Sequence, residues 1–256
     1  MKRLLAFVYG VACYLVFLAT FVYAIGFIGN LYVPNSLDSA AVTPLGRALI
    51  INSALLMLFA LQHSIMARKW FKDAWTRIVP PPVERSTYVL FSSLALMLMF
   101  AFWQPMGIVL WKVSSPVLSS LITGIFALGW GLVFVSTLLI NHFDLFGVRQ
   151  VWLYLQKRPY TQLVFRTPLF YRYIRHPLYL GWLMVFWATP TMTAAHLLFA
   201  VATTGYILVA IQFEERDLIR IHGARYEQYR LEVPMILPVG GARVAPTRRA
   251  DAAYGD

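Results

Sequence analysis

The 256-residue chain is 59% hydrophobic and only 13% charged, about half the charge fraction of an ordinary soluble domain. Its net charge of +11 would suit a nucleic-acid partner, but in so apolar a chain the cations are explained as topology signals beside a bilayer, and no nucleic acid is expected. The single cysteine, Cys13, lies inside an apolar run, which excludes a disulfide framework and a cysteine-based metal site; no metal is expected.

In chain order, six apolar segments predict membrane spans, at 4–29, 46–67, 87–110, 117–140, 178–190 and 193–213. The first follows Met1-Lys2-Arg3 like a signal peptide, but it is long enough to cross a bilayer and lacks a small-x-small cleavage site, so it reads as a retained helix. The last two are divided by Thr189-Pro190-Thr191. Pro190 removes a backbone donor and disfavours helix at the residue before it. The expectation is a tight helical hairpin with one short arm and one of normal length. With six spans, all of the 22 lysines and arginines except Arg47 and Lys112 fall on one side, which the positive-inside rule makes cytoplasmic, together with both chain ends. A single kinked helix in place of the hairpin would send the arginines after the last span to the opposite side.

The expected fold is therefore all-α: one polytopic membrane domain over 1–239, with a disordered cytoplasmic tail at 240–256. No internal repeat and no acidic residue within a span is evident, which weakens a transporter reading.

Polar residues near membrane depth collect in four clusters, all on the basic side. Gln62-His63-Ser64 closes the second span. Glu84-Arg85-Ser86 opens the third after Pro80-Pro81-Pro82. Asn141-His142-Phe143-Asp144 closes the fourth, leading into Gly147-Val148-Arg149-Gln150. The fourth cluster pairs Arg175-His176-Pro177, Tyr179 and Gly181 with Glu214-Glu215, at the two ends of the hairpin. Each has a structural reading: Glu84 beside a helix dipole, Asn141-His142 as a cap, Asp144 paired with Arg149, Arg175 paired with a glutamate. Their gathering on one face favours a site, since structural caps belong at both faces. Pro177 suits a first helical position, so Arg175 and His176 stand at a helix mouth that attracts anions. Gly181 admits a ligand or a neighbouring helix. A basic and acidic mouth over an apolar slot suits a zwitterionic cofactor with a flat ring.

Arg175-His176-Pro177, Tyr179, Gly181, Glu214-Glu215, His222-Gly223 and Tyr226 with Tyr229 resemble the signature of the isoprenylcysteine carboxyl methyltransferase superfamily of membrane methyltransferases. Gln62 to Arg68, Glu84 to Leu90 and Asn141 to Gly147 resemble its nurim-like branch, which includes bacterial methanethiol S-methyltransferases. The resemblance spans nearly the whole chain apart from the tail. It implies an enzyme binding S-adenosylmethionine through Arg175, His176, Pro177, Tyr179, Gly181, Glu214 and Glu215, and releasing S-adenosylhomocysteine. It implies methylation of a small volatile thiol, methanethiol, to dimethyl sulfide in a bacterial cytoplasmic membrane. His142 is then the leading proton acceptor with Asp144 orienting its ring, His63 the next, and Arg85 and Arg149 electrostatic supports for a thiolate. Methylation of another lipophilic acceptor, such as a prenylcysteine carboxylate or a quinol, and a non-enzymatic nurim-like scaffold stay open, as does oligomeric state. No strand, glycine-rich turn and helix of a soluble nucleotide-binding sheet is present; Gly129-Trp130-Gly131 sits mid-span and reads as helix packing.

Overall fold

The computed structural model describes residues 1–238; the expected disordered tail lies outside the described residues. Among the described residues five helices are long and apolar enough to cross a membrane: α1 (Lys2–Gly29), α2 (Leu45–Ala67), α4 (Pro81–Phe102), α5 (Pro116–Ile140) and α9 (Ala194–His222). A shorter apolar helix, α8 (Pro177–Trp187), pairs with α9 as the predicted hairpin, broken where Pro190 requires it. Its 11 residues reach about 16 Å, half of a bilayer core. The short helices α3 (Lys69–Trp75), α6 (His142–Leu145), α7 (Val148–Leu155) and α10 (Ala224–Glu232) all lie at the basic end. The protein is thus a polytopic helical membrane protein, with most apolar side chains on the long helices turned outward.

The expected third span, 87–110, is corrected at both ends. Helix α4 begins at Pro81, because a proline at the first helical positions loses no hydrogen bond. It ends at Phe102, since Pro105 disfavours helix at Gln104. The residues beyond form strand β1 (Val109–Lys112), antiparallel to β2 (Thr191–Thr193) at the hairpin tip, with Val109 opposite Thr193 and Lys112 opposite Thr191. The last span also runs on, past 213 to His222.

A second correction concerns polarity. The opposite end is not free of polar clusters. There Asp38 accepts from Asn30 Nδ2 at 2.6 Å, from His196 Nδ1 at 3.0 Å and from the Thr193 hydroxyl. Asn52 closes two bonds with the Gln104 backbone, at 2.7 and 2.8 Å. Asp38 and Asn52 were unremarkable in sequence because each stands alone; only the fold brings their partners.

The tightest crossing is α5 against α8. A Cβ on Gly181 would lie 2.9 Å from the Gly129 carbonyl oxygen and the Val133 nitrogen, and one on Gly129 would lie 2.9 Å from Met184. Both glycines therefore serve helix packing, and Gly181 meets a neighbouring helix.

Candidate active site

The mouth of α8 is built on one buried carboxylate. Glu215 is 5% exposed and meets three side chains: the guanidinium groups of Arg175 (Nε at 2.7 Å) and Arg230 (Nε at 3.1 Å), and His176 Nε2 at 3.1 Å. Arg175 also donates to the Arg230 and Val233 carbonyls, at 2.9 and 2.5 Å. The backbone N–H groups of Arg175 and His176 donate to Pro234 and Met235. The motif thus staples α8, α9 and the segment after α10 into one unit.

Its neighbour Glu214 behaves differently. Glu214 is 44% exposed at the side chain and accepts from the Tyr179 hydroxyl at 2.8 Å. A step of one residue on a helix turns the side chain by about 100°, so one glutamate is enclosed and the other is exposed.

Beside Glu214 stand two buried hydroxyls without hydrogen-bond partners. The Tyr171 hydroxyl faces Ser136 Oγ of α5 without closing a full hydrogen bond to it, and neither has another partner among the described residues. Burial, and then the charge of Glu214, push the Tyr171 phenol up from its ordinary value. Unbonded buried hydroxyls are costly and call for a polar ligand. The Gln62 and Glu84 Oε1 atoms are buried and unpartnered as well.

Two histidines flank this region. His142 places Nδ1 2.8 Å from Thr137 Oγ1, whose own hydrogen goes to the Phe134 carbonyl at 2.7 Å. The imidazole Nδ1 must therefore carry a hydrogen, and Nε2 accepts from the Tyr14 hydroxyl at 2.8 Å. His63 Nδ1 lies 3.0 Å from Ser92 Oγ, whose hydrogen goes to the Tyr88 carbonyl at 3.0 Å, while the Tyr88 hydroxyl sits 3.0 Å from Nδ1 and 2.9 Å from Nε2, against the ring rather than on one nitrogen. His142 is 6% exposed, and burial holds its imidazole below the ordinary histidine range.

Asp144 does not orient His142, as sequence alone suggested. Its carboxylate accepts from Arg149 Nη1 at 2.8 Å and from the Tyr160 hydroxyl at 3.3 Å, so Thr137 sets the ring instead. Arg149 also holds Thr161, and Arg85 Nε donates to the Leu145 carbonyl at 2.9 Å. Both arginines stitch the loop between α5 and α7. Asn141 caps α6 by accepting from the Asp144 N–H.

The clusters converge on the α8 mouth. Ser136 and Thr137 are adjacent on α5, one toward Tyr171 and one toward His142. Aromatic rings continue the wall: Phe17 stacks on Phe146 at 3.9 Å, and Phe21 packs on both Trp130 and Trp182. On the other flank, Tyr179, Tyr206 and Tyr88 lie within electrostatic range of one another. Sequence reading missed Tyr14, Tyr88, Ser136, Thr137 and Tyr171. The one available signal was the Ser136-Thr137 pair a single turn before Asn141.

Curated relatives match along most of the chain. A methanethiol S-methyltransferase of Crocosphaera subtropica is 59% identical over 243 residues, covering 95% of each chain. One of Mycobacterium tuberculosis is 54% identical over 93% of this chain and 98% of its own. The chain belongs to the methanethiol S-methyltransferase family. The nurim of Xenopus laevis is more distant, 32% identical over 65% of this chain and 61% of its own. No family model and no solved structure matches.

Proposed function

We propose that this protein methylates methanethiol to dimethyl sulfide, with S-adenosylmethionine as donor, at the basic end of the helical bundle. The observation that carries the reading is the pairing of an open Glu214–Tyr179 contact with the unbonded hydroxyls of Tyr171 and Ser136 at the mouth of α8. Relatives named methanethiol S-methyltransferase support the acceptor. The lysine and arginine excess supports a cytoplasmic orientation of that end, in a bacterial cytoplasmic membrane.

The residues fit the cofactor. Glu214 suits its ammonium or ribose hydroxyls, the Tyr171 and Ser136 hydroxyls take further polar groups, and the Trp182 and Tyr179 rings border the flat base. Arg175, His176 and Glu215 hold the mouth open in one shape, and Pro177 and Gly181 set the helix that carries it. When bound, the cofactor supplies an electrophilic methyl on sulfonium sulfur. In the balanced reaction the thiol S–H bond and the donor's C–S bond break, one C–S bond forms, and a proton is released.

That proton needs an acceptor, since the thiolate is the nucleophile. Because Nε2 of His142 accepts from Tyr14, the proton passes to the Tyr14 oxygen as the Tyr14 hydrogen moves to His142 Nε2. His63, beside the Tyr88 hydroxyl, is the second candidate acceptor. Arg85 and Arg149 fix the loop that carries His142.

The test uses the purified full chain with labelled cofactor and methanethiol, and headspace analysis for labelled dimethyl sulfide. Labelled product is expected. Cofactor binding without product would redirect the reading to another lipophilic acceptor; absence of binding by calorimetry would point to a scaffold.

A further inference from the structure

A second cleft lies on the other face of α9, away from Glu214. Phe213, Arg216, Asp217 and Arg220 recur at helical spacing on one stripe of α9. They face the break between α2 and α3, where Arg68 adopts an extended conformation (φ −75, ψ 143) and turns the chain. Together they line an open cleft of about 500 Å³.

The cleft has an unbalanced charge. Arg68, Lys69, Arg216 and Arg220 face only Asp73 and Asp217, a surplus of two positive charges. Lys69 is satisfied by Asp73 at 2.6 Å. Arg68 and Arg220 share Asp217 at 3.4 Å each, longer than a strong charge-assisted bond of about 2.8 Å. Arg216 has no carboxylate partner among the described residues; its guanidinium packs 5.8 Å from the Phe213 ring, whose other neighbour is Arg68 at 5.1 Å. Two guanidinium groups are thus held on an aromatic ring with donors to spare.

Its position selects the anion. Ile65 stands one turn before Lys69 and Val209 one turn before Phe213, so exposed apolar stripes run from the cleft toward the bilayer. Trp70, 64% exposed, sits at its rim, as tryptophan does at membrane interfaces. We propose that this cleft binds the phosphate of an anionic phospholipid in the leaflet at the basic end, with its acyl chains along α2 and α9. Basic pockets between spanning helices recognise lipid headgroups in this way.

The test is lipid retention by the purified full chain in detergent, read by native mass spectrometry against phosphatidylglycerol, phosphatidylcholine and inorganic phosphate. Phosphatidylglycerol is expected to be retained in preference to phosphatidylcholine and not displaced by inorganic phosphate. Each cation removed weakens binding by about fivefold, so the R216Q/R220Q double variant should lose roughly 25-fold. The variant K157Q/R158Q, at the same end but outside the cleft, should retain the lipid, and melting temperatures check that both variants fold. Equal retention of the two lipids, competition by inorganic phosphate, unchanged affinity in R216Q/R220Q, or equal losses in both double variants would each overturn the proposal.

Discussion

Glu214 and Glu215 are adjacent, identical in chemistry and divided by burial. Glu215 balances Arg175, His176 and Arg230 in a nearly closed site. Glu215→Gln leaves the buried Arg175 guanidinium uncompensated and is expected to destabilise the fold by about 3–5 kcal/mol, read as a lowered melting temperature. Glu214→Gln, at a half-open side chain, should leave the melting temperature nearly unchanged and weaken cofactor binding by calorimetry about ten- to hundredfold. Equal melting losses in both would remove the distinction. The sequence showed the pair but not its division, because which of two neighbours faces the cleft depends on the rotation of α9 and on Tyr179 arriving from α8.

His142 carries a pH prediction at the same scale. Burial depresses its imidazole below 6.5, so the neutral, proton-accepting form persists as pH falls through 6.5. The acid limb of kcat/KM should therefore lie below pH 6.5. The stability contribution has the matching sign: present above 6.5, and lost as pH falls toward the folded-state value, because the unfolded chain takes up the proton first. Tyr14→Phe removes the hydroxyl bonded to His142 Nε2 and, on the proposed relay, should lower kcat about 10²–10⁴-fold with cofactor affinity retained. An unchanged kcat would exclude Tyr14 from the relay. Nothing in the sequence around Tyr14 marks it, since it is one aromatic in an apolar helix, and only the bond to a residue 128 positions away singles it out.

At the scale of elements, the hairpin was legible because Pro190 forbids what hydropathy alone would continue. The β1–β2 ribbon was not, since its strands are short, come from distant segments and carry no alternating pattern. The α5–α8 contact tests how the short arm is positioned. Gly181→Ala would drive a Cβ within 2.9 Å of the α5 backbone, and an overpacked contact of this kind costs about 1–3 kcal/mol. Gly124 and Gly131, on the same helix α5, have nothing within 4 Å of the place an added Cβ would take. Alanine there should be neutral or slightly stabilising, by up to about 1 kcal/mol, through helix propensity. Melting temperatures of the three variants in one detergent decide the matter. Because α8 also carries Tyr179, Gly181→Ala should further reduce cofactor affinity, whereas the other two should not.

At the scale of the whole molecule, polar networks close both ends of an apolar bundle, and they differ in purpose. The basic end carries unbonded hydroxyls and an open carboxylate, while at the far end the Asp38 carboxylate is fully partnered. Asp38 shows the difference. Burial alone would raise its pKa, but the hydrogen bond and charge of His196, with Thr193 and Asn30, more than reverse this and hold the carboxyl below 3.8. His196 Nε2 meanwhile faces the Phe186 carbonyl at 3.0 Å, so the ring bridges the Asp38 carboxylate and the end of α8. The cluster joins the loop after α1 to the hairpin tip and the end of α8. Asp38→Asn should therefore cost about 1–3 kcal/mol by leaving the donors of His196, Thr193 and Asn30 short of their shared acceptor. The stability lent by Asp38 is present above pH 3.8 and lost as pH falls through its lower folded value, so wild type and variant should converge in melting temperature only in strong acid. No residue of this cluster touches Glu214, Tyr179 or His142, so turnover per folded molecule should be unchanged in Asp38→Asn. A fall in kcat without a fall in melting temperature would show that the two ends are coupled through α8, and that the far clasp sets the geometry of the mouth.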